Sequence, residues 1–498
     1  MLRISSYIRF VNKLRLLAGY EVVTKSNLWK EMSKLALNSV LVFFALYVLL
    51  TYYGMSYPYP LIISALNALP IALFMNILVY LLKIIKRARC IENELRYFIV
   101  SEGITADKTT ELINDLMGIE FWGSVFTNLK AEALKLRKLK KLLPTFDAVK
   151  IYVKFLRSSF VRRILGDYLL SMSLGTVPMW LQEKSNELLH EIKARSIAIS
   201  KIRAIISILN AILLSYLPMF MLMISLVTGN EGIILQSLII ALTIAIVSIL
   251  LVPKPPLHQS INIKRSSLNV LMLSMVYLAP FTIFVLFKVI DKALYLFSMI
   301  AVIYGLIRLR DYIEALFEVS DIPRVINLIS ETPLTLVNPL EVLKRVLSTS
   351  KSKSMREIAS NLSFKSAFNS LDRIKTWLGR YVIYVLLRGI GKGSLDRERL
   401  IKLRDVVLEL ITDLRSSLAV NIVIISLALA LPYILTVLLN IGYMYTMHTS
   451  LNYLSLYAII TTFTYSVYAG YVVFNDSSNT LIQGVSMLML LALGGVRL

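Results

Sequence analysis

The sequence is short of charge, cysteine and histidine. Only 17% of its 498 residues are charged and 57% are apolar, against about 25% and 45–50% in a soluble protein. That balance excludes a soluble globular enzyme, a disordered chain and a fibrous one. Cys90 is the single cysteine, so there is no intrachain disulfide and no cysteine-based zinc cluster. His190, His258 and His448 are too scattered to suggest a metal site. Arg3, Arg9, Lys13 and Arg15 interrupt the first twenty residues, so no cleavable signal peptide is expected. No H-E-x-x-H or G-x-S-x-G motif occurs. Gly389-Ile390-Gly391-Lys392-Gly393-Ser394 has the wrong spacing for a phosphate loop. It reads as a helix–helix turn, with Gly393 giving backbone freedom and Ser394 capping the next helix. Neither a cofactor, a metal nor a catalytic residue is expected.

Long apolar runs are abundant. A spanning helix needs about 20 mostly apolar residues. Nine candidates follow: Leu35–Tyr53, Leu61–Leu82, Ala204–Thr228, Gly232–Val252, Ser266–Phe287, Ala293–Ile307, Ser417–Asn440, Leu451–Phe474 and Thr480–Val496. None holds an Asp, Glu, Lys or Arg. Ion paths and proton relays use such residues, so a transporter, pump or voltage sensor is disfavoured. Asn38, Asn67, Asn76, Asn210 and Gln236 read as interhelical hydrogen-bonding groups.

Lys and Arg number 54 against 31 Asp and Glu, a net charge of +23. They gather in the loops on one side of the alternating spans, which makes that side cytoplasmic. The division is a cytoplasmic segment 1–34, a transmembrane pair 35–82, a helical block 83–203, four spans 204–307, a second helical block 308–416 and three spans 417–498. The N-terminus and both blocks are cytoplasmic. Nine spans put the C-terminus outside, whereas eight with a re-entrant last segment would reverse it. The expected class is an all-α polytopic membrane protein with two cytoplasmic helical bundles.

In the first block, Val125, Leu129, Ala133, Leu136, Leu139 and Leu143 form one apolar stripe over Ser124–Leu143. Lys130, Lys135, Arg137, Lys138, Lys140 and Lys141 cover its other faces, and Pro144 marks its stop. A bundle helix is preferred to a membrane-surface helix, because neighbouring helices can cover the stripe. Lys150, Lys154, Arg157, Arg162 and Arg163 follow, beyond the reach of the positive-inside rule, and fit an acidic partner surface. Nucleic acid is not expected: there is no aromatic interleaving, RNA-binding signature or zinc finger. Asp311, Glu314 and Glu318 share one helical face. They are the candidate acids for a membrane transferase, although a solvated face is the plainer reading.

The two blocks repeat near their ends. Phe160–Leu170 aligns with Trp377–Leu387, Leu181 with Ile401, Leu188 with Leu408, and Arg195-Ser196 with Arg415-Ser416. Each copy leads into a pair of spans, which points to duplication. This unit resembles the F-domain of type II secretion and type IV pilus platform proteins. Glu94-Leu95-Arg96-Tyr97-Phe98 is similar to the family's Glu-Leu-Pro-x-Phe start, with Arg96 in place of proline. Asp321-Ile322-Pro323 keeps the proline in the second copy, and Ser159–Ile202 is the strongest match. Nine spans with two blocks is similar to the archaeal branch, archaellum platforms included.

The resemblance implies a non-enzymatic platform in the cell membrane. It would bind a hexameric cytoplasmic secretion ATPase and couple its motion to insertion of pilin subunits. A homodimer suits the base of a filament. Lys135, Arg137, Lys138, Lys140, Lys141, Lys150, Lys154, Arg157, Arg162 and Arg163, with Arg380 and Arg388 in the second copy, are the candidate ATPase-docking residues. The competing readings are a transporter or channel and the transferase named above.

Overall fold

The computed structural model describes residues 59–106, 111–118, 125–156, 158–228, 251–261, 290–332, 337–360, 371–445, 451–474 and 479–493, with scattered positions between. Among these residues the structure is helical and contains no strand. The helices are α1 (Tyr59–Thr105), α2 (Leu112–Gly118), α3 (Thr127–Lys140), α4 (Thr145–Phe155), α5 (Ser159–Leu174), α6 (Val177–Thr228), α7 (Ile290–Glu331), α8 (Pro339–Ser348), α9 (Lys353–Ser360), α10 (Trp377–Lys392), α11 (Arg397–Tyr445), α12 (Leu451–Phe474) and α13 (Leu481–Ala492).

Packing divides the chain into two units that cut across the linear blocks. One takes Met1–Phe98, Thr110–Phe121 and Phe126–Trp180; the other takes Ile99–Thr109, Trp122–Val125 and Leu181–Leu498. In the first, α2 packs on α3, α3 on α4 and α4 on α5. The α3 stripe behaves as its period demands, with Leu129, Ala133 and Leu136 buried. Phe98 meets Phe126 edge to face at 5.8 Å. The Arg96 guanidinium sits 3.8 Å from the Phe160 ring centroid, which makes this buried arginine a cation–π partner.

Among the described residues three helices are long and apolar enough to cross a membrane: Val177–Leu214, Lys292–Glu331 and Arg397–Val437. Only 28%, 39% and 28% of their most apolar windows is buried. More than half of each window is therefore left unburied by the chain itself, which hydrocarbon favours and water disfavours. Ala458–Phe474 and Leu481–Ala492 are shorter apolar helices. The expected spans Leu35–Tyr53, Gly232–Val252 and Ser266–Phe287 lie largely outside the described residues.

The second unit has an apolar core drawn from α6, α7, α11, α12 and α13, centred on Leu214, Ala301, Ile424, Tyr465, Tyr468 and Leu490. Small residues bring α7 and α13 together. A Cβ at Gly484 would lie 2.7 Å from the Val302 nitrogen, and one at Gly305 2.5 Å from the Leu481 backbone. Close approach of this kind is how helices associate in lipid. Asn210 accepts a 2.7 Å hydrogen bond from Ser248, the interhelical role expected of it. At the C-terminal end of α12, the carbonyls of Val472, Val473 and Phe474 accept from Arg203, from Asn421 at 3.4 Å and from Tyr312 at 2.8 Å. These donors satisfy a helix end that lacks intrahelical partners. They also set one level shared by α6, α7, α11 and α12.

The repeat is visible as capping geometry. α5 and α10 each have 16 residues. The Ser158 hydroxyl accepts from Val161 N–H, and the Thr376 hydroxyl from Gly379 N–H. Each helix ends on a left-handed glycine, Gly175 at φ 70° and Gly393 at φ 64°. A 6→1 bond follows in both, from Thr176 to Ser171 (2.9 Å) and from Ser394 to Gly389 (3.0 Å).

Three sequence assignments are corrected. The caps pair Ser159, rather than Phe160, with Trp377. Leu188 is buried and Leu408 is exposed; the buried spacing of Leu181, Ser185 and Leu188 recurs at Leu403, Val407 and Leu410. The cap of α11 is Asp396, which accepts from Arg399 N–H at 2.8 Å, rather than Ser394.

Candidate functional site: a cationic docking face

The cationic helices of the first unit are anchored from beneath by carboxylates. Glu94 is buried and takes the first turn of α3. Its Oε2 accepts from Asn128 N–H and Leu129 N–H, both at 2.8 Å. Its Oε1 accepts from the Asn128 amide at 2.7 Å and the Thr127 hydroxyl at 3.3 Å. An acid at a helix N-terminus meets orphan N–H groups and the positive end of the dipole. Burial raises the Glu94 pKa, and these hydrogen bonds only partly counter it. Asp321 repeats the arrangement in the second copy: its Oδ2 accepts from Lys351 N–H (2.7 Å), Ser352 N–H (3.0 Å) and the Ser350 hydroxyl (2.5 Å) just before α9.

Glu132, buried on α3, receives Arg87 of α1 at 3.0 Å, Lys135 at 2.8 Å and the Tyr152 hydroxyl of α4 at 2.7 Å. Burial, then the nearby Glu132 charge, pushes the Tyr152 phenol upward. One carboxylate thus ties three helices together.

Above this anchored layer the cations are displayed. Lys135, Arg137, Lys138 and Lys141 are exposed at the end of α3, Lys150 and Lys154 one turn apart on α4, and Arg162 and Arg163 in the first turn of α5. Arg162 donates to the Leu156 carbonyl at 2.5 Å. Lys140 is half-buried and bonded to Asn114. Between residues 111 and 174 the exposed acids are Glu111 and Asp147, among the described residues. The display is strongly positive, and within about 10 Å at ordinary ionic strength such a field attracts an acidic surface. Arg157 lies outside the described residues.

Arg380 and Arg388 do not belong to this face. Both are 4% exposed, so neither can meet a partner at an open surface. Burial lowers the Arg380 pKa. Arg388 pairs with Glu102 through Nε to Oε1 at 2.6 Å and Nη2 to Oε2 at 3.1 Å, and Lys392 adds a contact at 3.0 Å.

The three acids of α7 are also engaged internally rather than forming a solvated face. Glu318 is fully buried and accepts from Thr376 N–H (2.7 Å), the Thr376 hydroxyl (2.8 Å) and Lys375 N–H (3.0 Å) at the start of α10. Asp311 and Glu314 hold the Lys375 ammonium at 2.7 and 2.5 Å. Burial opposes that charge, but the two carboxylates together outweigh it and raise the Lys375 pKa. No group of three or more potential metal ligands occurs among the described residues.

A cavity of about 70 Å3 lies in the second unit, lined by Arg203, His258, Gln259, Thr376, Asn421 and the end of α12. Burial drives the His258 imidazole pKa down to about 3.

Sequence reasoning missed Glu132, Glu102 and the capping roles of Glu94, Asp321 and Glu318. Only Glu94 and Asp321 carried a signal, as the matched acids at the start of each copy. Comparison of the chain with protein-family models, with curated proteins and with solved structures returns no match.

Proposed function

We propose that this protein is the membrane platform of an archaeal type IV pilus-like filament machine. On this reading it is a multi-pass protein of the cell membrane with about nine spans and two cytoplasmic F-domain-like blocks. It binds a hexameric cytoplasmic secretion ATPase and couples that motion to pilin insertion, without catalysing a reaction itself.

The observation that carries the reading is the repeated unit. A buried carboxylate, Glu94 or Asp321, caps an inner helix. A hydroxyl-capped 16-residue helix then ends on a left-handed glycine. A long helix, α6 or α11, follows and becomes apolar. Duplication of that unit supports the resemblance. The exposed cations of α3, α4 and α5 support an acidic partner.

Co-purification of the full-length chain with its ATPase tests the proposal. Glu at Lys138, Lys140, Lys141, Arg162 and Arg163 together should weaken capture, and unchanged capture contradicts the assignment of the face. The engagement of Asp311, Glu314 and Glu318 by Lys375 and the start of α10 supports a structural role for these acids over the transferase reading. Substrate flux in liposomes lacking any ATPase would favour the transporter reading instead.

A further inference from the structure

Arg203, near the middle of α6, is a buried cation with no carboxylate bonded to it among the described residues. It is 7% exposed. Its Nη2 donates to the Val472 carbonyl, and its Nε meets no acceptor among those residues. A guanidinium carries five N–H donors and a full charge. The C-terminal end of α12 offers about half a charge in return. Burying the remainder is costly unless an anion takes it up.

The cavity of the second unit puts space beside that group. Among the described residues lining it there is no Asp, Glu or Lys. His258 is neutral there, since burial holds its pKa at about 3. Arg203 therefore supplies the charge of the wall. Gln259 Oε1, also on the wall, is buried without a donor, so a hydrogen-bond acceptor stands beside the cation. At about 70 Å3 the space holds roughly five water-sized groups, enough for the phosphorus and oxygens of a phosphate.

Position points to lipid as the source of that anion. Arg203 is the last charge on α6, and Arg415, just before Ser417 of the cavity wall, is the last on α11. The cavity thus lies where both long helices turn from charged to apolar, which is the level of headgroups. Leu316 and Leu418 also line it and are 45% and 37% exposed, so apolar side chains lead from the cavity to the outer surface. We infer that this cavity binds the phosphodiester of an anionic membrane lipid. Arg203 would donate to the phosphate oxygens, Gln259 would accept from a headgroup hydroxyl, and Leu316 and Leu418 would meet the start of the acyl chains. A phosphodiester carries one negative charge, which matches one arginine. Free phosphate shares its oxygens but has no apolar part for the two leucines.

The test is native mass spectrometry of the full-length chain, delipidated in neutral detergent and then given phosphatidylglycerol or phosphatidylcholine. One phosphatidylglycerol per chain should survive activation that strips phosphatidylcholine. Arg203→Gln should cut that retention about tenfold. Asn421→Asp is nearly isosteric and sets a carboxylate in the same cavity as Arg203. It should expel the lipid equally, and it decides the matter if Arg203→Gln fails to fold. Arg163→Gln, on an exposed cation of the first unit, should leave retention unchanged. Undiminished retention in Asn421→Asp, or equal loss in Arg163→Gln, overturns the inference, because surface charge then holds the lipid. Displacement of the lipid by glycerol phosphate or inorganic phosphate also overturns it, because the site then takes a free anion.

Discussion

Glu102 and Arg388, 286 residues apart in sequence, meet in an ion pair, with Nη2 donating to Oε2 at 3.1 Å and Nε 2.6 Å from Oε1, and both side chains are out of water. Removing one partner of a buried pair strands the other charge, at about 3–5 kcal/mol. Glu102→Ala, which takes the carboxylate from both Arg388 and Lys392, should therefore lower unfolding stability in detergent by an amount of that order. Arg163→Ala, on an exposed cation, should leave it unchanged. A surface role for Arg388 predicts no difference between them.

The two capping carboxylates should behave as a matched pair. Glu94→Ala and Asp321→Ala each remove several hydrogen bonds to the start of an inner helix. Each should destabilise by about 1–3 kcal/mol. Hydrogen exchange should place the loss in α3 for the first variant and in α9 for the second. Uniform loss across the chain would contradict the local capping role.

Gly175 and Gly393 should also respond alike. A Cβ at either position meets nothing within 4 Å, so the cost of alanine is purely that of a left-handed backbone, roughly 1–2 kcal/mol. Gly484→Val is different in kind: its side chain would collide with Val302 and should separate α7 from α13. Thermal unfolding of the three variants distinguishes strain from collision only if paired with a cross-link between α7 and α13, lost in Gly484→Val alone.

His258 gives a pH signature. Its folded pKa of about 3 lies below the ordinary 6.5 because burial disfavours the charged ring. The unfolded chain therefore binds more protons between those values, and stability rises with pH across that window. On acidification below about 6.5 the folded state loses up to roughly 1.4 kcal/mol per pH unit from this group. In His258→Gln that component should vanish, so the difference between wild type and variant should slope with pH from about 6.5 to 3 and be flat above. Parallel curves would contradict a buried neutral ring.

Helix content, the α3 stripe and the Gly393 turn were legible because each is local: an apolar period or a glycine. The register of the repeat was misread by one residue, since amphipathic helices align almost as well when shifted. The caps Ser158 and Thr376, with the left-handed Gly175 and Gly393, fix it. The docking assignment failed at Arg380 and Arg388 for a different reason. A charge in a sequence does not carry its partner, and Glu102 sits on a helix from the other end of the chain. Asp311, Glu314 and Glu318 illustrate the same limit: their spacing showed a shared face, but their partner Lys375 and the start of α10 lie about 60 residues downstream.

Recruitment of an acidic ATPase by the exposed cations of α3 and α5 is read out by its affinity for the full-length chain in nanodiscs. Binding should weaken steeply as salt is raised. A loss of about tenfold or more should follow in the combined Lys138→Glu, Lys141→Glu, Arg162→Glu and Arg163→Glu variant. Wild-type affinity in that variant, insensitive to salt, would contradict such recruitment.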